Sequence, residues 1–246
     1  MTVVQFAPAR VPANEHIAVH FLKALDPAAA AFNLRPFAEA PGAAANPRKH
    51  NAVPLADVPA LIAQCDKEKR GLFVVVNEGG DTDASITRTR AVFCDFDGKA
   101  HLPEGVTWEI ADDDQIEAAM EACLDRALMA QRGATATDAI PADWPRGSTI
   151  LRSGHGFHVY WFVDDVPPAE FRPMQRALAA RFGSDPAVSN PSRVMRLPGS
   201  RNWKGGDGVL VEPRNRCTLW HEGSRQPETG RGPGFIGASC IQRLFG

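Results

Sequence analysis

Two aspartates lie one residue apart at the end of an apolar run, in the stretch AVFCDFDG at residues 91–98. The apolar run predicts a buried strand, and residues i and i+2 of a strand point to the same face, so Asp95 and Asp97 are expected side by side. Two carboxylates that close repel each other unless a cation lies between them. Hard divalent metals such as Mg²⁺ and Mn²⁺ prefer oxygen ligands, so the pair indicates a metal or catalytic site. The alternative is an ordinary turn or cap, which Gly98 favours.

A second segment with possible chemistry is SGHGFHVYW at residues 153–161. Its small residues would let backbone N–H groups approach an anion closely, and Ser153 and His155 lie in that turn. His158 begins the following strand and could donate a hydrogen bond to a phosphate. The alternative for a histidine on a strand is a core residue with its hydrogen bonds satisfied.

The third segment begins with Asp185, which follows a predicted helix, and continues through SRVMRLPGSRNWK at residues 192–204. The three cations Arg193, Arg196 and Lys204 flank a Pro-Gly turn and could bind a triphosphate. A capping role is the alternative for Asp185, and a solvated surface is the alternative for the cations.

Composition sets limits on the class of protein. The chain has 246 residues, enough for one large domain or two small ones, and its 44% apolar and 23% charged residues are typical of a globular protein in water. No apolar run approaches the ~18–20 residues of a membrane span, and the N-terminus does not resemble a signal peptide. The five cysteines form no C-x-x-C pair, which predicts neither a zinc ribbon nor a disulfide framework and favours a reducing, cytoplasmic location.

The net charge of −2 is uninformative, but the charges are unevenly distributed. Residues 104–125 carry eight acidic and no basic side chains, whereas residues 172–216 carry nine basic and three acidic ones. The basic excess could neutralise phosphates of a nucleotide or nucleic acid, or simply form a solvated surface. The triplet Asp112–Asp114 is best explained as the cap of an amphipathic helix.

The pattern of predicted elements is a loose alternation of helices and strands, which indicates a mixed α/β or α+β fold. Predicted helices begin after Asn14, at Asp57, after the Asp triplet and at Pro168, the last ending at Gly183. Predicted strands cover residues 72–77, 91–97, 149–152, 157–163, 194–197 and 208–212, and residues 36–54 are expected to form a long loop. The Gly/Pro-rich residues 222–246 are expected to form a tail or linker.

The three segments together resemble the archaeo-eukaryotic primase superfamily, especially the replication primases of plasmids, phages and related elements. The family signature is a D-x-D strand, a small-x-His motif and a later aspartate. These correspond here to Asp95/Asp97, residues 156–158 ending in His158, and Asp185. The resemblance covers roughly residues 15–215. It implies two αβ units facing each other across a cleft, about 1–88 and an RNA-recognition-motif-like unit of about 89–221.

The resemblance also implies an activity, which is DNA primase or primase-polymerase chemistry on a single-stranded DNA template with NTPs or dNTPs. Asp95, Asp97 and Asp185 would hold two Mg²⁺ or Mn²⁺ ions. His158 would bind the phosphates of the incoming nucleotide with help from Ser153 and His155. The three cations of the third segment would contact triphosphate or template. A replicative helicase or a further C-terminal domain is an expected partner, and a membrane is not.

Three alternatives stay open at the level of sequence. D-x-D-G also begins the sites of haloacid-dehalogenase-like phosphatases, where Asp95 would be a nucleophile. A replication nickase would need paired histidines and a nucleophilic tyrosine, for which Tyr160 is the only candidate. A nucleic-acid-binding module without catalysis is the third.

Overall fold

The computed structural model describes residues 16–40, 48–132, 149–206 and 208–214. Within these ranges four α-helices are present: α1 (Ile17–Leu25), α2 (Val58–Lys67), α3 (Asp113–Gln131) and α4 (Pro168–Phe182). The described strands are β1 (Ala31–Ala38), β2 (His50–Pro54), β3 (Arg70–Val75), β4 (Glu78–Gly79), β5 (Ile86–Arg88), β6 (Ala91–Asp97), β7 (Thr149–Arg152), β8 (Gly156–Phe162), β9 (Val194–Arg196), β10 (Arg201–Asn202), β11 (Val209–Leu210) and β12 (Glu212–Pro213). No described helix is long and apolar enough to cross a membrane.

Two four-stranded sheets and two short ribbons make up the β-structure of these ranges. The first sheet has the order β2-β1-β3-β9 and the second has the order β12-β7-β8-β6, while β4 pairs with β5 and β10 with β11. Every pairing is antiparallel. The mixed α/β class predicted from the sequence is therefore confirmed.

The second sheet is buried because β6 and β8 are almost wholly apolar. Every residue of β8 is buried, as are the first four residues of β6. On one face Phe93 contacts Tyr160, and on the other Trp161 stacks on Phe182 of α4 at a ring distance of 5.9 Å. Since Phe171 of α4 contacts Phe93, the helix crosses the outer edge of β6, which does not pair with another described strand, and reaches both faces of the sheet.

Two helix ends follow the capping signals in the sequence. The side chain of Asp112 accepts a hydrogen bond from the backbone N–H of Gln115, and the backbone N–H of Asp112 donates to Oε1 of Gln115 in return, which is a capping box at the start of α3. Gly183 ends α4 in the left-handed conformation at φ 64°. Both of these predictions are confirmed.

The prediction of a long loop over residues 36–54 is wrong where the structure describes that range. β1 extends to Ala38 and β2 covers His50–Pro54. Pro36 made β1 hard to recognise from the sequence, because proline has no backbone N–H to donate to a neighbouring strand. The structure tolerates it because β2 pairs only as far as Leu34, which leaves the outer side of β1 unpaired at Pro36.

The other sequence boundaries fall close to the observed ones. The predicted strand 208–212 divides into β11 and β12, with Val211 donating to the carbonyl of Ser200 between them. Asn14 and residues 222–246 lie outside the described residues. The division into units at about residue 88 stays a prediction, and β9, from the later part of the chain, pairs with β3 from the earlier part.

A buried ion pair fixes the entry of the chain into β6. Asp26, only 3% exposed, accepts hydrogen bonds from Arg88 and from Nε of Arg90 at 2.7 Å. Burial by itself raises the pKa of Asp26, but the hydrogen bonds from Arg90 and Arg88 outweigh burial and hold that pKa below its ordinary value.

We therefore expect Asp26→Asn to lower the free energy of unfolding by about 3–5 kcal/mol, because it removes the buried carboxylate that pairs with buried Arg90. Arg88 keeps its second partner, Glu78, at 2.7 Å. A depressed carboxyl pKa contributes stability that is present above the unfolded-state pKa of about 4 and is lost as the pH falls through the folded-state value. Urea denaturation between pH 3 and 7 measures both effects. Exposed Asp125→Asn is the control, and an equal loss in both variants would contradict the role of Asp26.

Candidate active site

The pairing of β6 with β8 brings three predicted site residues together. Asp95 lies directly opposite His158, and Asp97 lies opposite Gly156. Directly paired residues share a face of an antiparallel sheet, so both carboxylates and the imidazole project to the same side. Oδ1 of Asp95 lies 3.5 Å from Nε2 of His158.

His158 is a buried imidazole between a carboxylate and a phenol. Burial lowers its pKa below the ordinary value, Asp95 partly offsets this, and the charges of Arg196 and Arg193 lower the pKa further. The ring is therefore neutral near pH 7. Nδ1 lies 3.5 Å from the hydroxyl of Tyr160, and the ring tautomer decides which of the two groups donates. In the tautomer that is protonated at Nε2, the phenol can donate to Nδ1 and the ring N–H faces Asp95.

The loop after α4 places the third carboxylate beside the pair. The backbone N–H of Asp185 donates to the carbonyl oxygen of Asp95 at 2.9 Å, which ties the loop to the outer edge of β6. The side chain of Asp185 also accepts from the backbone N–H of Ala187 at 2.8 Å. This is a local turn bond and not a helix cap, since no described helix begins at Asp185.

The turn between β7 and β8 is held from two sides. The backbone N–H of Ser153 donates to the carbonyl of Gly156 at 2.9 Å, and the N–H of Gly98 donates to the carbonyl of His155 at 2.8 Å. The side-chain amide of Asn202 donates to the carbonyl of Ser153 at 2.8 Å. Gly154 has φ +116°, and a Cβ there would lie 2.2 Å from Nδ2 of Asn202, so the turn requires glycine at this position.

Arg196 differs from the other predicted cations because it is buried and paired. Its guanidinium forms a two-pronged ion pair with Glu39, with Nη1 donating to Oε2 at 2.8 Å, and it lies 4.7 Å from the ring centre of Phe73. Glu39 also accepts from the backbone N–H of Trp203 at 3.1 Å. Glu39 therefore fixes both Arg196 and the start of the segment that carries Lys204.

A cavity of about 240 Å³ collects these side chains, and every predicted site residue except Arg193 lines it. The lining residues are Asp95, Phe96, Asp97, Lys99, Ser153, His155, Gly156, His158, Asp185, Arg196, Asn202 and Lys204. Three segments that are distant in sequence thus meet in one place. Arg193 lies close enough to lower the pKa of His158 by its charge but does not line the cavity.

The three carboxylates share the cavity without converging on one point. Within the described ranges, no group of three His, Cys, Asp or Glu side chains is close enough to hold a metal ion. Asp97 and Asp185 each accept a local backbone N–H, from Lys99 at 3.0 Å and from Ala187 respectively. Mutual repulsion between the charges favours such separate partners.

Sequence reasoning missed three residues of the site. Lys99 follows D-x-D-G directly and is a cation whose position in the motif was available as a signal. Asn202 stands inside the quoted segment 192–204 but shows its role only through its contact with Ser153. Glu39 lies at the end of a strand that was expected to be a loop, and nothing in its local sequence connects it with Arg196.

Residues 129–226 match the family model of the RepB DNA-primase N-terminal domain, which is less than half of the chain. The matched stretch includes His158, Asp185 and Arg196 and leaves out Asp95 and Asp97. No curated protein sequence is significantly similar to the chain.

Solved structures show the same fold at low sequence identity. The archaeo-eukaryotic primase domain of the primase-polymerase from cyanophage S-2L is 21% identical with a TM-score of 0.58, and the match covers 93% of this chain and 97% of that one. Primase RepB′ is 15% identical with a TM-score of 0.51, and the match covers 93% of this chain and 60% of that one. The fold is that of the archaeo-eukaryotic primases. The more specific resemblance to RepB-type primases, predicted from the three motifs, is also confirmed.

The negative charge of Asp95 beside His158 leads to a testable prediction about the pKa of this histidine. Asp95 raises the pKa of His158 against the effect of burial, so Asp95→Asn should lower that pKa further by removing the negative charge. Titration of the imidazole signals by NMR measures the change. Exposed Asp125→Asn should leave the pKa of His158 unchanged, and an increase in Asp95→Asn would show that the two side chains do not interact as described.

Proposed function

We propose that this protein is a DNA primase or primase-polymerase that synthesises short primers on single-stranded DNA from NTPs or dNTPs. The observation that carries the proposal is the cavity that holds Asp95, Asp97, Asp185 and His158 together with cationic side chains. Nucleotidyl transfer needs carboxylates where the reacting hydroxyl and phosphate meet, and positive groups around the triphosphate. The match to the RepB primase family supports this proposal.

The carboxylates fit hard divalent cations by their chemistry, since all donors would be oxygens. Asp95, Asp97 and Asp185 are the residues that would hold Mg²⁺ or Mn²⁺. Two such ions, when bound, would activate a 3′-hydroxyl and stabilise the charge on the leaving pyrophosphate. Asp95 and Asp97 present their side chains to the same face of β6, and the backbone contact to Asp95 keeps Asp185 beside them.

The remaining side chains are suited to binding the nucleotide. The neutral ring of His158 has an N–H at the cavity wall that can donate a hydrogen bond to a phosphate oxygen. Arg196 is neutralised and held by Glu39, so it contributes fixed hydrogen-bond donors more than net charge. Among the described residues, no carboxylate lies within salt-bridge distance of Lys99 or Lys204, so these two lysines supply the unbalanced positive charge. Ser153 and His155 form the turn beside the phosphates, and Arg193 contributes at longer range.

The biological setting belongs to the same proposal. Replication of a plasmid, phage or other mobile element is supported by the similarity to a phage primase-polymerase fold. A helicase or a further C-terminal domain would be the partner in that setting. A reducing cytoplasm is supported by Cys65, Cys94 and Cys123, which are buried free thiols.

The alternatives explain less of the cavity. A phosphatase that uses Asp95 as nucleophile leaves His158, Arg196 and Lys204 without a role in the same cavity. A nickase would need an accessible tyrosine, whereas Tyr160 is fully buried and burial raises its pKa well above the ordinary value. A non-catalytic DNA-binding module has no use for three carboxylates beside the phosphate-binding groups.

The carboxylates give the decisive test. Asp95→Asn, Asp97→Asn and Asp185→Asn should each reduce nucleotide addition by at least about 10²-fold, the scale of losing one electrostatic group at a reacting centre. The assay is extension of a labelled oligonucleotide on single-stranded DNA with Mn²⁺ and NTPs or dNTPs, with circular dichroism to confirm folding.

Exposed Asp125→Asn is the matched control and should retain full activity. The proposal fails if the wild-type protein adds no nucleotides while it hydrolyses p-nitrophenyl phosphate in a reaction that Asp95→Asn abolishes. DNA binding without either reaction would favour the non-catalytic module.

Lys204 gives an independent test of the nucleotide site. Lys204→Ala should weaken nucleotide binding about tenfold or more, because a hydrogen bond to a charged group contributes roughly 1.5–3 kcal/mol. Calorimetric titration with a nucleotide triphosphate measures the change. Lys23→Ala, at an exposed position of α1, is the control, and equal affinity in both variants would remove Lys204 from the site.

A further inference from the structure

The outer edge of β6 is covered by one side chain of α4. Gln175 is 2% exposed and lies where α4 crosses this edge. Its Oε1 accepts from the backbone N–H of Phe93 at 2.8 Å, and its Nε2 donates to the carbonyl of Phe93 at 2.9 Å. The side-chain amide therefore takes the place that a peptide group of a neighbouring strand would occupy.

The same amide also reaches the loop that carries Asp185. Nε2 of Gln175 donates to the carbonyl of Val188 at 2.9 Å, and Val188 is buried. Phe93 stands two residues before Asp95, and Val188 stands three residues after Asp185. Gln175 thus bridges the strand and the loop on which the proposed carboxylates stand.

We infer that Gln175 is a positioning residue that holds the Asp185 loop against β6 and so sets the distance between Asp185 and the Asp95/Asp97 pair. The role rests on the proposed function of that site. Gln175 does not line the cavity, so it acts through the loop and not on a substrate. The direct bond from the N–H of Asp185 to the carbonyl of Asp95 is the second tie of the same loop.

Only a side-chain amide has the donors and the acceptor that these three contacts require. A methionine of similar length would leave one buried N–H and two buried carbonyls without a partner, which is costly away from water. An ionised glutamate could still accept from Phe93 but would place a negative charge against the carbonyls of Phe93 and Val188. A protonated glutamate would regain one donor.

The first experiment measures the loop directly by hydrogen exchange of backbone amides. Gln175→Met should raise the exchange of the amides in residues 185–188 at least about tenfold, since local opening becomes easier when buried hydrogen bonds are lost. Leu178→Ala is the control, because Leu178 is a buried residue of the same helix that contributes only packing. Leu178→Ala should destabilise the whole protein without selectively raising the amide exchange of residues 185–188.

The second experiment measures the consequence for the carboxylates. In primer synthesis, Gln175→Met should raise the Mn²⁺ concentration needed for half-maximal activity at least about threefold, whereas Leu178→Ala should leave it unchanged. If Gln175→Met does not fold, Gln175→Glu replaces it, and its exchange protection at residues 185–188 should recover as the pH is lowered and the carboxyl becomes protonated.

Unchanged protection of residues 185–188 in both Gln175 variants would overturn the inference, as would equal shifts in Gln175→Met and Leu178→Ala. The proposed function and the positioning role of Gln175 are contradicted by different results. If the wild-type protein synthesises no primers, the proposed function fails, while the exchange experiment still decides whether Gln175 holds the loop.

Discussion

Strand β6 forms hydrogen bonds along both of its edges, and the candidate site depends on this constraint. The inner edge pairs with β8, which fixes His158 opposite Asp95. The outer edge bonds to Gln175 and to the backbone of Asp185, which fixes the third carboxylate. A shift of one residue in the β6–β8 register would turn Asp95 and Asp97 to the opposite face, so the pairing of β6 with β8 also determines on which face the site lies.

The contacts that local sequence governs could be predicted, and those that depend on distant partners could not. Alternation along a strand placed Asp95 and Asp97 on one face, and capping signals located the start of α3 and the end of α4. The position of Asp185 beside Asp95 came only from a family resemblance, because a backbone hydrogen bond across 90 residues leaves no local signal. Glu39 and Gln175 were missed for the same reason, since each has its role only through residues far along the chain.

The net charge of the cavity depends on which of its cationic side chains are already paired with a carboxylate. Arg196 belongs to a closed ion pair with Glu39, and the low pKa of His158 keeps that ring neutral near pH 7. Lys99 and Lys204 therefore offset the three carboxylates, and the described lining carries more negative than free positive charge. A cation bound at the carboxylates would reverse this balance and draw the triphosphate in, so metal and nucleotide should bind with positive coupling.

The local bonds that Asp97 and Asp185 accept from backbone N–H groups do not compete with a role as ligands. A carboxylate has two oxygens and about four acceptor positions, and a single backbone N–H occupies one of them. In each side chain Oδ1 accepts that N–H, which leaves Oδ2 for another partner. The local bond limits the rotation of the carboxylate before anything binds, and so lowers the conformational entropy that binding would otherwise cost. In each of these aspartates Oδ1 therefore serves the local structural role, and Oδ2 is the oxygen available for the functional one.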